Sequence, residues 1–167
     1  MTSIVRAEIP ALSLLSSYGR SGAYVDCYTT DVSSSVTLAQ FVEAFYTTPL
    51  FKVERLLLGM FVSRASTDDE AKEFAQAQRA SFAAWQVESR GPDELLVRAG
   101  RTRSWFMVAQ EVPPGGRTRL FFGSAVVPRK QAGGGMGAGF NALLGFHKLY
   151  SRALLSSAAY RLSHPRR

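Results

Sequence analysis

Residues that bind metals or form disulfides are scarce in this chain of 167 residues. It contains one cysteine, Cys27, and two histidines, His147 and His164. A single cysteine excludes an intramolecular disulfide and is consistent with a reducing compartment. Because the sequence has no CxxC or HExxH pattern either, we predict that the protein binds no metal.

Long apolar runs are also missing. Nowhere do about eighteen uncharged apolar residues follow one another, so the sequence predicts no transmembrane helix. The apolar stretch from Ile9 to Leu15 is interrupted by Pro10, and it lacks the length and the cleavage site of a secretory signal. Together with the single cysteine, these absences predict a cytoplasmic location.

Acidic residues are absent from the last third of the chain. Every Asp and Glu lies at or before Glu111, and the net charge is +7. Such a charge can attract nucleic acid. However, the basic residues are spaced among apolar ones and no nucleic-acid module signature occurs, so we predict a solvated basic surface rather than a nucleic-acid partner.

Composition and length predict a single domain. The chain is 46% hydrophobic and 20% charged, which is typical of globular proteins, and its length suits one hydrophobic core. We expect an N-terminal arm at residues 1–20, a folded domain at 21–162 and a basic tail at 163–167.

The first half of the chain predicts one strand and three helices. Thr37 and Gln40 form a capping-box pattern, Thr48 and Pro49 supply a cap and a first-turn proline, and Thr67 opens a second capping box. The predicted elements are a strand at Ala23–Val32, a helix that begins after Thr37, a helix from Leu50 to about Phe61 and a helix from Asp68 to Gln78.

The second half predicts an antiparallel meander, because the hydrophobic period changes to two and short turn motifs separate the runs. A long helix from about Phe140 to Leu162 follows. Its apolar arc is wide and includes Leu149 and Tyr160, so we predict that most of this helix is enclosed. The predicted strands are Phe82–Ser89, Glu94–Ala99, Thr102–Val112 and Thr118–Val127.

The glycine-rich stretch from Gly133 to Gly139 has the glycine spacing of a dinucleotide-binding loop and precedes a helix. A Rossmann unit also needs parallel strands and an acidic residue about twenty positions further on, but no acid follows Glu111. We therefore predict a flexible linker and no cofactor.

The predicted order of elements defines an α+β fold in which about five antiparallel strands wrap around the long C-terminal helix. This order is similar to that of the START-like helix-grip superfamily (SRPBCC), which includes polyketide cyclases and plant allergen-like binding proteins. The segments at 44–55, 102–105 and 145–152 also resemble those of an uncharacterised bacterial family in that superfamily. The resemblance implies a cavity between sheet and helix that holds a lipid-like or polyketide-like molecule.

Asp26 shares one face of the first predicted strand with Tyr24 and Tyr28. If that face is internal, the carboxylate is buried and needs a partner such as Arg103 or Arg55. A structural ion pair and a cavity acid with a raised pKa are the two readings of this pattern.

His147 lies on the apolar side of the long helix, where a histidine is either a general base or a satisfied core residue. Trp85 and Trp105 occupy strand positions that suit core packing or the lining of a pocket. The candidate ligand-binding residues are therefore Tyr24, Asp26, Tyr28, Arg55, Trp85, Arg103, Trp105, His147 and Tyr150.

Three functions fit these patterns. The first is a carrier or sensor of a small apolar molecule, with a homodimer as a possible assembly. The second is a cyclase- or hydratase-like enzyme, which requires that Asp26, Arg103 and His147 converge in one cavity. The third is an interaction module whose basic C-terminal surface binds an acidic partner, membrane headgroups or nucleic acid.

Overall fold

A computed structural model describes residues 3–52, 66–111, 116–127 and 138–164, and for residues 138–147 it describes the backbone alone. Within these ranges, the strands form one antiparallel sheet of seven strands with the order β1-β2-β7-β6-β5-β4-β3. The strands are β1 (Val5–Arg6), β2 (Tyr24–Val32), β3 (Ser81–Phe82), β4 (Trp85–Arg90), β5 (Glu94–Ala99), β6 (Thr102–Gln110) and β7 (Thr118–Val126).

The α+β class and the antiparallel meander are confirmed, but the predicted number of about five strands is wrong. The two additional strands, β1 and β3, are two residues long, too short to produce an alternating pattern. A turn at Ala83, whose φ is +50°, separates β3 from β4 and divides the predicted strand Phe82–Ser89.

The helices begin where the capping residues predict. They are α1 (Ser16–Arg20), α2 (Leu38–Tyr46), α3 (from Pro49, described over residues 49–52), α4 (Asp68–Ala75) and α5 (Ala138–Ser163). Thr37 and Thr67 both form complete capping boxes. Helix α4 ends three residues before the predicted end because Ala77 has a φ of +62°, which terminates the helix. The rest of the predicted helix Leu50–Phe61 lies outside the described residues.

Both faces of the sheet are covered, each by a different part of the chain. The inner face packs against α2, α4 and α5 and carries Phe106 and Phe122 in the main core. The outer face carries Trp105 and Cys27, and it is covered by side chains from residues 7–18, among them the fully buried Leu15. The segment predicted as an N-terminal arm therefore contributes a second hydrophobic core.

Helix α5 lies across β2 and against α2. Its buried side is formed by Leu154, Leu155 and Ala158. The prediction that most of the helix is enclosed is wrong for its opposite side, because Leu149 is 68% exposed and Tyr160 is 64% exposed. Among the described helices, none is long and apolar enough to cross a membrane.

Candidate functional site

A cavity of about 250 Å³ lies between the inner face of the sheet and α5. The sheet, α2, the start of α3 and α5 all contribute to its wall, so the cavity is a product of the tertiary fold rather than of one loop. The lining residues are Phe45, Tyr46, Phe51, Ala84, Trp85, Ala99, Thr102, Ser104, Phe122, Tyr150, Ser151 and Leu154.

Aromatic rings form most of one wall. The Phe51 ring centroid is 5.1 Å from that of Trp85, and the Tyr46 centroid is 5.8 Å from the same indole. Phe45 packs on Phe122 with centroids 4.6 Å apart. Ring pairs at these distances and tilts are the favourable arrangements for aromatic side chains. The wall is therefore apolar, and it is held in place by ring-to-ring packing.

Helix α2 places Phe45 and Tyr46 because its start is fixed by the Thr37 capping box, in which the Gln40 backbone N–H donates to Thr37 Oγ1 at 3.2 Å. Phe41 lies one turn before Phe45, with ring centroids 6.4 Å apart, as helical i,i+4 spacing requires. The capping residues thus set the direction in which the two cavity rings point.

Hydroxyl groups form the other part of the lining. Thr102 and Ser104 come from the first half of β6, and Tyr150 and Ser151 come from α5. Ser151 is only 1% exposed. No charged side chain lines the cavity within the described residues, so the polar groups at this end are neutral donors and acceptors.

Behind this polar end lies a row of side chains that crosses three strands. Asp26 on β2 is opposite Ser124 on β7, and Ser124 is opposite Ser104 on β6. The Ser124 hydroxyl donates to Asp26 Oδ1 at 2.5 Å, and the Tyr24 hydroxyl donates to Asp26 Oδ2 at 3.2 Å. Asp26 is 3% exposed, so the buried carboxylate is stabilised by hydroxyl donors.

Tyr24 and Tyr28 flank Asp26 on the same face of β2. Burial raises the pKa of both phenols, and the nearby Asp26 charge raises each pKa further. The Lys148 ammonium lies over the Tyr24 ring, 5.6 Å from its centroid. Tyr28 is part of the main core and faces Arg6 across the β1–β2 pair. Neither tyrosine lines the cavity.

Arg103 and Trp105 lie on the outer face, away from the cavity. Arg103 Nε is 2.8 Å from Glu88 Oε2 and donates to the Tyr18 hydroxyl at 2.9 Å. The predicted ion pair between Asp26 and Arg103 is therefore wrong, because alternation along β6 directs Arg103 to the side opposite Ser104 and Asp26.

Trp105 Nε1 donates to Glu94 Oε2 at 2.7 Å, and its ring is fully buried beneath the N-terminal segment. It has the core-packing role that was one of the two predicted for it. Trp85 combines both predicted roles, since it is buried and also lines the cavity. Tyr150 lines the cavity as well. Arg55 and the side chain of His147 lie outside the described residues.

Cys27 is 2% exposed on the outer face. Burial, followed by the charge of Asp26, raises its pKa to about 12. The thiol therefore stays protonated at neutral pH, and a protonated thiol is a poor nucleophile. Within the described part of the chain no cluster of His, Cys, Asp and Glu has the geometry of a metal site.

Sequence reasoning missed Phe45, Phe51, Ser104 and Ser151 as cavity residues. The available signal for Ser104 was its register with Asp26 through Ser124. That register depends on the β2–β7 pairing, which joins the first long strand to the last.

Comparisons with known proteins assign no family. A scan of protein-family models finds no match, and a search of curated proteins finds none. A search of solved structures finds a conserved protein of unknown function from Enterococcus faecalis, with a TM-score of 0.44 and 12% sequence identity over 92% of this chain and 83% of that one. The chain is thus similar in outline to one solved protein whose own function is not known.

Proposed function

We propose that the protein binds a small uncharged ligand, mainly apolar, in the cavity between the inner face and α5. The observation that supports this most directly is the lining, which combines a wall of aromatic rings with a few hydroxyl groups and no charged side chain among the described residues. Small-molecule sites commonly have this character, since apolar walls supply affinity and a few polar groups fix orientation.

The volume limits the size of the ligand. A cavity of about 150 Å³ lined by aliphatic and aromatic side chains can hold benzene, and typical ligand pockets have volumes of about 300 to 1,000 Å³. At about 250 Å³ this cavity suits one or two fused rings or a short acyl chain. A whole sterol or phospholipid is too large for it.

The same cavity supports the assignment of the fold to the START-like helix-grip superfamily, which we propose on the resemblance of the sequence. In that fold the sheet grips the C-terminal helix, and the ligand lies between them. Here α5 crosses the inner face of the sheet and contributes Tyr150, Ser151 and Leu154 to the cavity. A cytoplasmic carrier or sensor is the role that we propose for such a domain.

The enzyme hypothesis requires convergence of Asp26, Arg103 and His147. Asp26 and Arg103 lie on opposite faces of the sheet, each with other partners. These two residues therefore cannot act on one ligand, and simple binding is the better explanation of the cavity.

The experiment fills the cavity and measures ligand binding. Ala99 lines the cavity at the end of β5, and Ala99→Leu places three further carbon atoms there. Ala109 lies on the outer face of β6, away from this cavity, so Ala109→Leu is the matched control. Native mass spectrometry first identifies any molecule that copurifies, and thermal shifts with a panel of fused-ring aromatics and short fatty acids then measure binding.

We expect wild type and Ala109→Leu to be stabilised by the same panel members. A ligand at 100 times its Kd stabilises a protein by about 2.7 kcal/mol, which is a readily measured shift. Ala99→Leu should fold but lose at least tenfold in affinity. If wild type binds no member of the panel and no molecule copurifies, or if both variants bind equally well, the cavity is not a ligand site.

A further inference from the structure

The exposed side of α5 carries large apolar residues that nothing in the described chain covers. Leu149 is 68% exposed and Tyr160 is 64% exposed. They are eleven residues apart, which on an α-helix brings them to the same side, about 16 Å apart along the axis. Ala153, also exposed, lies between them on that side. The result is an apolar stripe on the surface.

Basic residues flank this stripe. Lys148 and Arg152 are exposed and lie one helical turn apart, and within the described residues neither forms an ion pair. The nearby Asp26 is buried and accepts hydrogen bonds from Ser124 and Tyr24. The chain has no acidic residue after Glu111, so α5 itself contributes only positive charge.

We propose that this face of α5 docks on an anionic membrane surface. Helices that lie in the lipid interface combine apolar side chains that enter the headgroup region with Lys and Arg that attract anionic lipids. Both kinds of residue are present on this face. A nucleic acid would be attracted by the cations but would gain nothing from Leu149, and an acidic protein partner is the alternative that the experiment separates.

The experiment is cosedimentation of the full chain with vesicles. One set contains phosphatidylcholine with about 30% phosphatidylglycerol, and the other contains phosphatidylcholine alone. Each Lys or Arg near an anionic surface contributes about fivefold to partitioning, so Lys148→Gln with Arg152→Gln should weaken binding about 25-fold. The control removes the same charge elsewhere, with Lys72→Gln on α4 and Arg98→Gln on the outer face, both exposed.

Insertion of the apolar stripe is measured separately. Leu149→Trp introduces a tryptophan on the exposed face, whereas the native Trp85 and Trp105 are 7% and 0% exposed. Lipids brominated on their acyl chains should quench the fluorescence of Leu149→Trp and leave wild type nearly unchanged. Leu149→Gln, at a position that contributes little to the core, should bind the anionic vesicles several-fold more weakly than wild type.

The proposal predicts binding to the anionic vesicles, loss in the α5 variant, retention in the control variant and quenching of the introduced tryptophan. Wild type that fails to bind the anionic vesicles overturns it. So does an equal loss in both charge variants, which would indicate a general charge effect. Binding without quenching also overturns it, because it would mean that the apolar stripe does not enter the lipid, and an acidic protein would then be the better partner.

Discussion

Substitution of Gly123 tests how the N-terminal segment covers the outer face. A Cβ at this position would lie 2.6 Å from Leu15 Cδ2, 3.0 Å from the Asp26 carbonyl oxygen and 3.0 Å from Trp105 Cε3. Leu15 and Trp105 are both fully buried, and the Asp26 carbonyl is held in the β2–β7 ladder. None of these atoms has free space to move into, so Gly123→Ala overpacks the second core.

The expected cost follows from these contacts. Overpacking a well-packed core typically costs about 1 to 3 kcal/mol. Replacing glycine in the unfolded chain offsets about 0.4 to 1 kcal/mol of that cost. We therefore expect Gly123→Ala to lower the free energy of unfolding by about 1 to 2 kcal/mol.

Leu15→Ala provides the second arm of a double-mutant cycle. Alone, it should cost about 2 to 5 kcal/mol, because it removes a fully buried side chain and leaves a cavity. In the double variant the closest contact of the new Cβ is gone, while those with Asp26 and Trp105 remain. The double variant should thus be more stable than the sum of the single losses predicts, by about 1 kcal/mol.

The assay is urea unfolding followed by circular dichroism, which is analysed as a two-state transition once the unfolding of wild type is shown to be cooperative. Losses that add to within about 0.5 kcal/mol would refute the reasoning, because they would mean that Leu15 does not lie over Gly123. A neutral Gly123→Ala would refute the tight covering of the outer face itself.

Two further predictions concern the same face. Glu94 Oε2 accepts both the Leu14 backbone N–H at 2.9 Å and Trp105 Nε1–H at 2.7 Å; Glu94→Ala should therefore cost about 2 to 4 kcal/mol in urea unfolding, and Glu94→Gln, which keeps an acceptor oxygen, clearly less. Because burial raises the pKa of the Cys27 thiol from 9.0 to about 12, the unfolded state loses this proton first. The contribution of the thiol to stability is complete below pH 9 and is lost as the pH rises to about 12. Wild type should lose more stability between pH 8 and pH 10.5 than Cys27→Ala does, and an equal loss would contradict the cause given for the raised pKa.

Local signals in the sequence predicted the elements of the fold well. The turns at Gly91-Pro92-Asp93 and Gly100-Arg101 bound β5, whose predicted and observed limits are both Glu94–Ala99. The capping residues Thr37 and Thr67 predicted the starts of α2 and α4 for the same reason. In each case the interaction that defines the boundary is made by residues within a few positions of it.

The candidate site was harder to predict because both faces of the sheet are buried. On β6 the inner face carries Phe106 and the outer face carries Trp105, and each is fully buried. Alternation then shows which residues share a face but not which face contains the cavity. Arg103 was therefore paired with Asp26, although the register pairs Asp26 with Ser124.

The wide apolar arc of α5 has a related ambiguity, since it is consistent with a helix enclosed by protein on all sides or with a helix that has two different apolar partners. The structure supports the second interpretation. Leu154 and Ser151 face the sheet and the cavity, while Leu149 and Tyr160 face outward. A helix buried only to complete a core has no need of leucine and tyrosine on its exposed side, and uncovered apolar residues of this size often mark a binding surface. Because Lys148 and Arg152 lie beside them without acidic partners in the described chain, the same helix can form one wall of a ligand cavity and hold the domain at an anionic surface from which an apolar ligand could be taken.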